Sequence, residues 1–149
     1  MLKHIDPLLT PDLLWVLAAM GHGDDLALVD ANFPAEAIAA STVSRRLVRL
    51  PGLRMGAVMR AVLSVLPLDD FVPDPVRRME VVGEPTQIPP AQAEVLHAMG
   101  TALGHAVRMQ GIERFAFYAA ARDSFAIVQV GDLRPYGDFL LRKGVILGA

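Results

Sequence analysis

The amino-acid sequence predicts an α/β fold, and three observations predict it. Stretches with helical apolar spacing alternate with short apolar runs at 26–29, 47–50 and 125–130, too short for buried helices and right for buried strands. Proline and glycine fall at the boundaries between them, where they stop one element and free the chain to start the next. No repeat, low-complexity tract or linker interrupts the 149 residues, so a single domain over 1–149 with a real core is expected.

The elements follow in order. Thr10-Pro11-Asp12 is a helix start, with Thr10 as N-cap, Pro11 at the first helical position and Asp12 on the positive end of the dipole. Leu13, Leu14, Leu17 and Met20 then repeat at helical spacing until Gly21. Gly21 and Gly23 reverse the chain, leaving His22 uncrowded between them, and Leu26–Val29 is a buried strand that ends at Asp30. Residues 35–46 lack a period and read as loop with about one turn of helix. Leu47–Leu50 is a short strand closed by Pro51-Gly52, and Arg54–Leu66 a helix stopped by Pro67. Prolines at 73, 75, 85 and 89 break up the next segment, leaving one strand around Arg78–Val82. Pro90 opens the longest helix, expected to run to about Met109 with Gly111 as its cap. A short helix within Ile112–Ser124, a strand over Phe125–Val130, a loop over Leu133–Gly137 and a last strand from Phe139 complete the chain.

Composition excludes several functions. There is no cysteine, which removes disulfides, thiolate zinc sites and a cysteine nucleophile and fits a cytoplasmic protein. Fourteen basic against sixteen acidic residues give a net charge of −2, the wrong sign for neutralising phosphates, so no nucleic-acid partner is expected. The cluster Arg45, Arg46 and Arg49 reads as a solvated face. Hydrophobic residues make up 53% and mean hydropathy is +0.39, yet no apolar run approaches the roughly 20 residues of a membrane span. The amino end, MLKHIDPLLTPDLL, lacks the features of a signal peptide. Surplus apolar surface is then expected to be buried between copies of the chain, as a homo-oligomer.

The candidate chemistry centres on Met20–Pro34, MGHGDDLALVDANFP. His22 is the best group for proton transfer near neutrality, with Asp24 or Asp25 to orient its ring; as a bland alternative it caps the first helix. Asp30, at the carboxyl end of a strand, is placed to accept a ligand hydroxyl or to serve as a turn carboxylate. A histidine on one loop and a carboxylate on the other are expected to converge on one small polar ligand. Arg114 and Tyr118, four apart, share a helix face. Tyr136-Gly137-Asp138 stands at the entrance to the last strand, as a ligand corner or as a hairpin corner with Gly137 supplying an unusual backbone angle. His97 and His105 have no carboxylate to complete a metal set. Gly21-His22-Gly23 is no phosphate loop, and Ser41, Thr42 and Ser44 form no nucleophile motif.

MLKHIDPLLTPDLL, MGHGDDLALVDANFP, RFAFY and YGDFLLRKGV together resemble the ribose pyranase / L-fucose mutarotase family, from the first residue to the last strand. DANFP and RFAFY place the resemblance nearer the fucose branch. It implies a three-layer α/β/α subunit, assembled as a pentameric ring or decamer with sites near subunit contacts. The implied activity is interconversion of the α and β anomers of L-fucose or a related monosaccharide, with neither cofactor nor metal. The implied proton donor is His22, and Asp30, Arg114, Tyr136, Gly137 and Asp138 are the implied sugar-binding residues. Two other readings stand beside it: a ribose-type pyranase, and a sugar-binding oligomer without catalysis. The family usually has asparagine where this chain has Asp138. An amide donates and accepts, whereas an ionised carboxylate only accepts, so Asp138 is expected to change the hydroxyl bound there or to pair with Arg114.

Overall fold

The structure, a computed structural model, describes residues 1–148. The elements run α1 (Pro11–Ala19), β1 (Asp25–Val29), α2 (Ala35–Ala39), β2 (Leu47–Leu50), α3 (Met55–Leu63), β3 (Val76–Met79), α4 (Pro90–Leu103), β4 (Gln110–Ile112), α5 (Arg114–Arg122), β5 (Ala126–Val130) and β6 (Phe139–Arg142). The strands form one six-stranded sheet in the order β2-β5-β1-β6-β3-β4. All neighbours are parallel except those of β6, which runs antiparallel between β1 and β3.

Two apolar clusters define three layers. Strand residues alternate between faces, so Leu26, Leu28, Val128, Val130, Phe139 and Leu141 pack with α1, α3 and α4 on one side. Ala27, Val29, Ile127 and Leu140 pack with Phe117 of α5 and Ile38 of α2 on the other. The α/β expectation and the layered architecture therefore hold. Thr10 caps α1 as its hydroxyl accepts from the Leu13 N–H at 3.3 Å. No helix among the described residues is long and apolar enough to cross a membrane.

Three boundaries differ from expectation, one of them that of α3, which ends at Leu63 rather than Leu66. The long helix stops at Leu103, where Gly104 takes a left-handed φ of 75° and donates its N–H to the Gly100 carbonyl, a helix-ending turn that glycine adopts without steric cost. The chain beyond it becomes β4, with Gly111 inside the strand and paired to Arg78. Three residues with no alternating pattern carry no strand signal of their own; the free edge of β3 recruits them. The strand expected around Arg78–Val82 is β3, and it begins at Val76.

Candidate functional site

A cavity of about 250 Å³ opens beside the carboxyl end of β1, lined by Asp30, Asn32, Phe33, Met79, Arg114, Tyr118, Pro135, Tyr136 and Asp138, with polar groups set in an apolar surround, and small enough for one compact ligand. The antiparallel insertion of β6 creates it. Leu28 pairs with Phe139, so the residues leaving β1 meet the residues entering β6, more than a hundred positions away in sequence. Asp30, Arg114, Tyr136 and Asp138 are thus brought together, and Gly137 supports them.

Asp30 is both a turn carboxylate and a cavity wall. Its Oδ1 accepts from the Asn32 and Phe33 N–H groups at 2.9 and 3.1 Å, and its Oδ2 from the Gly137 N–H at 3.2 Å. Asp138, buried at 4% exposure, turns its Oδ1 to the Asp30 N–H at 3.1 Å, and the two carboxyl groups hydrogen-bond to each other. Burial, then the charge of Asp30, push Asp138 well above the usual carboxylate range. Burial also raises Asp30, against the pull of its N–H donors. The expected pairing of Asp138 with Arg114 does not occur. Arg114 instead donates from Nε to the Tyr118 hydroxyl at 2.9 Å, a bond that raises its pKa further. The positive φ expected at Gly137 falls on Tyr136, at 61°, and the Tyr136 hydroxyl accepts from the Val82 N–H at 3.3 Å.

Two amides hold this corner, and neither is legible in the sequence. Gln92, wholly buried on α4, donates from Nε2 to the Met79 and Tyr136 carbonyls at 2.7 and 3.0 Å. Gln129 on β5 reaches the carbonyls of Asp30, Ala31 and Phe33 at 3.1–3.3 Å. A glutamine in a helix or strand carries no signal of its own; only its buried neighbours reveal what it binds.

His22 is not among the cavity's residues. It precedes β1 and Asp30 follows it, so the two stand at opposite ends of a five-residue strand, about 16 Å long at ~3.3 Å per residue. The expected convergence of histidine and carboxylate within one chain therefore does not occur. Nor is the ring uncrowded: its Nε2 lies 3.1 Å from Asp69 Oδ1, and Phe71 stands 5.5 Å away between ring centroids. Asp69, not Asp24 or Asp25, orients it. Asp24 accepts from the Gly21 N–H, and Asp25 binds Arg77 and Arg142. The Phe71 N–H, and then His22, hold Asp69 below the usual carboxylate range. An ionised carboxylate only accepts, so the hydrogen belongs on Nε2 and Nδ1 is left free.

Lys143-Gly144 anchors the loop that carries His22. Lys143 Nζ donates to the Leu17 and Met20 carbonyls at 2.7 and 2.6 Å, satisfying orphan groups at the end of α1. The Lys143 carbonyl accepts from the Gly23 N–H at 2.9 Å. A Cβ at Gly144 would lie 2.3 Å from the Leu68 carbonyl oxygen, so only glycine lets the chain pass there.

Fold and cavity together define a layered α/β protein with a small cavity at the carboxyl end of a central strand, the usual location of ligands in open α/β sheets. The profile of the RbsD / FucU transport protein family matches residues 3–146, and the chain belongs to that family. It is 36% identical over 145 residues to the L-fucose mutarotase of Actinobacillus pleuropneumoniae serotype 5b, covering 97% of each. Among solved structures, protein Atu2016 superposes with a TM-score of 0.95 at 46% identity, over 99% of this chain and 97% of that one. The fucose mutarotase of Streptococcus pneumoniae in complex with L-fucose gives 0.84 at 31%, over 98% and 100%. Bacillus subtilis RbsD complexed with D-ribose shares the fold at a TM-score of 0.68 and 18% identity, over 99% and 100%.

Proposed function

We propose that this protein is a cofactor-independent mutarotase, an isomerase that interconverts the α and β anomers of L-fucose or a related monosaccharide. The observation that carries the reading is the cavity itself, where Asp30, Arg114, Tyr136 and Asp138 converge in a chain similar to L-fucose mutarotases over almost its whole length. Mutarotation opens the hemiacetal ring and recloses it on the other face of the carbonyl. A proton must reach the ring oxygen while the anomeric hydroxyl loses one. Asp30 and Arg114 hold sugar hydroxyls, and Tyr136, whose oxygen already accepts from Val82, has its own O–H free to donate. Because the uncatalysed reaction is already fairly fast, acid–base help of about 10²–10⁴-fold suffices.

The second proton-transfer group in this reading is His22 of a neighbouring protomer. β1 separates His22 from the cavity of its own chain, while Phe71 beside it is 73% exposed and Ile146 and Leu147 are exposed as well, an apolar surround that a second copy would cover. We propose a pentameric ring or a decamer of such rings, working in the cytoplasm without a nucleic-acid or membrane partner.

The test is NMR exchange spectroscopy of L-fucose with catalytic amounts of protein. Enhanced exchange between anomer signals supports the mutarotase. A second reading, a sugar-binding oligomer without catalysis, is favoured by the distance of His22 from the cavity; it predicts saturation transfer from protein to sugar with no added exchange. Exchange confined to the pyranose and furanose forms of D-ribose would point to a ribose-type pyranase instead.

A further inference from the structure

The contact between two buried acids leads to one inference, which rests on the cavity being the sugar site. Asp30 and Asp138, 3% and 4% exposed, hydrogen-bond to each other at the bottom of the cavity. Every neighbouring cation is otherwise engaged. Arg114 on α5 is bonded to Tyr118. Arg78 on β3 binds Gln92 and the carbonyls of Gln87 and Pro85. Arg134, from the loop before β6, binds Asp132 and Glu94. The remaining polar side chains nearest the pair, Tyr118 and Tyr136, bring hydroxyls and no cation.

Two touching, buried carboxyl groups without a cation do not both ionise. Hydrogen-bond accounting says which one keeps the proton. Asp30 accepts from three backbone N–H groups, which stabilise a carboxylate, whereas Asp138 accepts from only one. We propose that Asp138 works as a neutral carboxylic acid that donates its proton to Asp30, so that the pair holds one shared proton and one negative charge beside the cavity. With the proton in place the pair carries one negative charge, and once it is removed the pair carries two that repel across a hydrogen bond. Burial and the charge of Asp30 both shift Asp138 in the required direction. While the proton stays, Asp30 and Asp138 present lone pairs to the cavity, so the sugar must turn hydroxyl donors toward them.

The experiment has two arms. In the sugar-free protein, ¹³C NMR of labelled aspartate should place the Asp138 carboxyl in its protonated position at neutral pH, titrating well above the usual carboxylate range. Asp138→Asn should delete that signal, and Asp30→Asn, which removes the neighbouring charge, should move the titration to lower pH. An Asp138 carboxyl already ionised at neutral pH overturns the proposal. In the second arm, L-fucose affinity should fall about tenfold or more across the Asp138 titration and stay within about twofold in Asp138→Asn. An equal loss in both proteins, or in neither, also overturns it. Failure of L-fucose to bind at neutral pH would sink the functional reading instead, and the first arm would still decide the state of Asp138.

Discussion

His22 Nε2 lies 3.1 Å from Asp69 Oδ1, across 47 positions of sequence. Asp69 sits at 4% exposure and is also held by the Phe71 N–H at 3.0 Å, so it is a fixed acceptor for a half-exposed ring. In the proposed mechanism this assigns proton transfer to Nδ1. Asp69→Ala should slow anomer exchange about tenfold with little change in KM, and the ¹⁵N shifts of His22 should change from one dominant tautomer to a mixture. Unaltered ¹⁵N shifts would show that Asp69 does not orient the ring.

His22→Ala should slow exchange by about 10²-fold or more with assembly intact. Because β1 keeps His22 from the cavity of its own chain, His22→Ala and Asp30→Asn should each be inactive alone and regain activity when co-assembled. Mixed rings would contain sites with both residues native. Co-assembled variants that stay inactive would remove the shared site.

Assembly itself is measured by light scattering. The exposed side chains Met1, Leu2, Phe71, Ile146 and Leu147 are expected to be covered in a particle of at least five chains. A monomer at micromolar concentration contradicts both the ring and a site completed by a neighbour.

Asp132 supplies a pH dependence of stability. Its Oδ2 accepts from the Met55 N–H at the start of α3 at 3.2 Å and from Arg134, and Arg134 in turn binds Glu94 on α4. Arg134 holds the Asp132 carboxyl down at about 2. A depressed carboxylate stabilises the fold above the ordinary value of 3.8, and the contribution disappears as pH falls through that value toward about 2. Roughly 2 kcal/mol is at stake. Denaturant unfolding should show Asp132→Asn less stable at neutral pH and the difference shrinking on acidification; a difference independent of pH would show that the charge of Asp132 contributes nothing.

Local chemistry made most elements legible. Thr10, Pro11 and Gly21 mark α1, and apolar runs mark β1, β2 and β5 within a residue or two, because caps and periodicity act over a few neighbouring residues. Four of the cavity residues, Asp30, Arg114, Tyr136 and Asp138, were legible as well, by resemblance of motif. Their arrangement was not. Nothing near Asp138 in sequence says that it faces Asp30, since that contact exists only because β6 enters the sheet antiparallel beside β1.

By itself, then, the sequence determined most of the helices and strands, the absence of thiol chemistry, and four side chains that line the cavity, Asp30, Arg114, Tyr136 and Asp138. The tertiary structure decided the rest. It drew β4 out of a patternless segment by offering it an open strand edge, set Asp69 rather than Asp24 or Asp25 beside His22, and placed His22 and Asp30 at opposite ends of β1. The physical reason is the same each time. Strand pairing and buried hydrogen bonds join groups far apart in the chain, and their energies depend on the partner that folding brings rather than on the residues alongside.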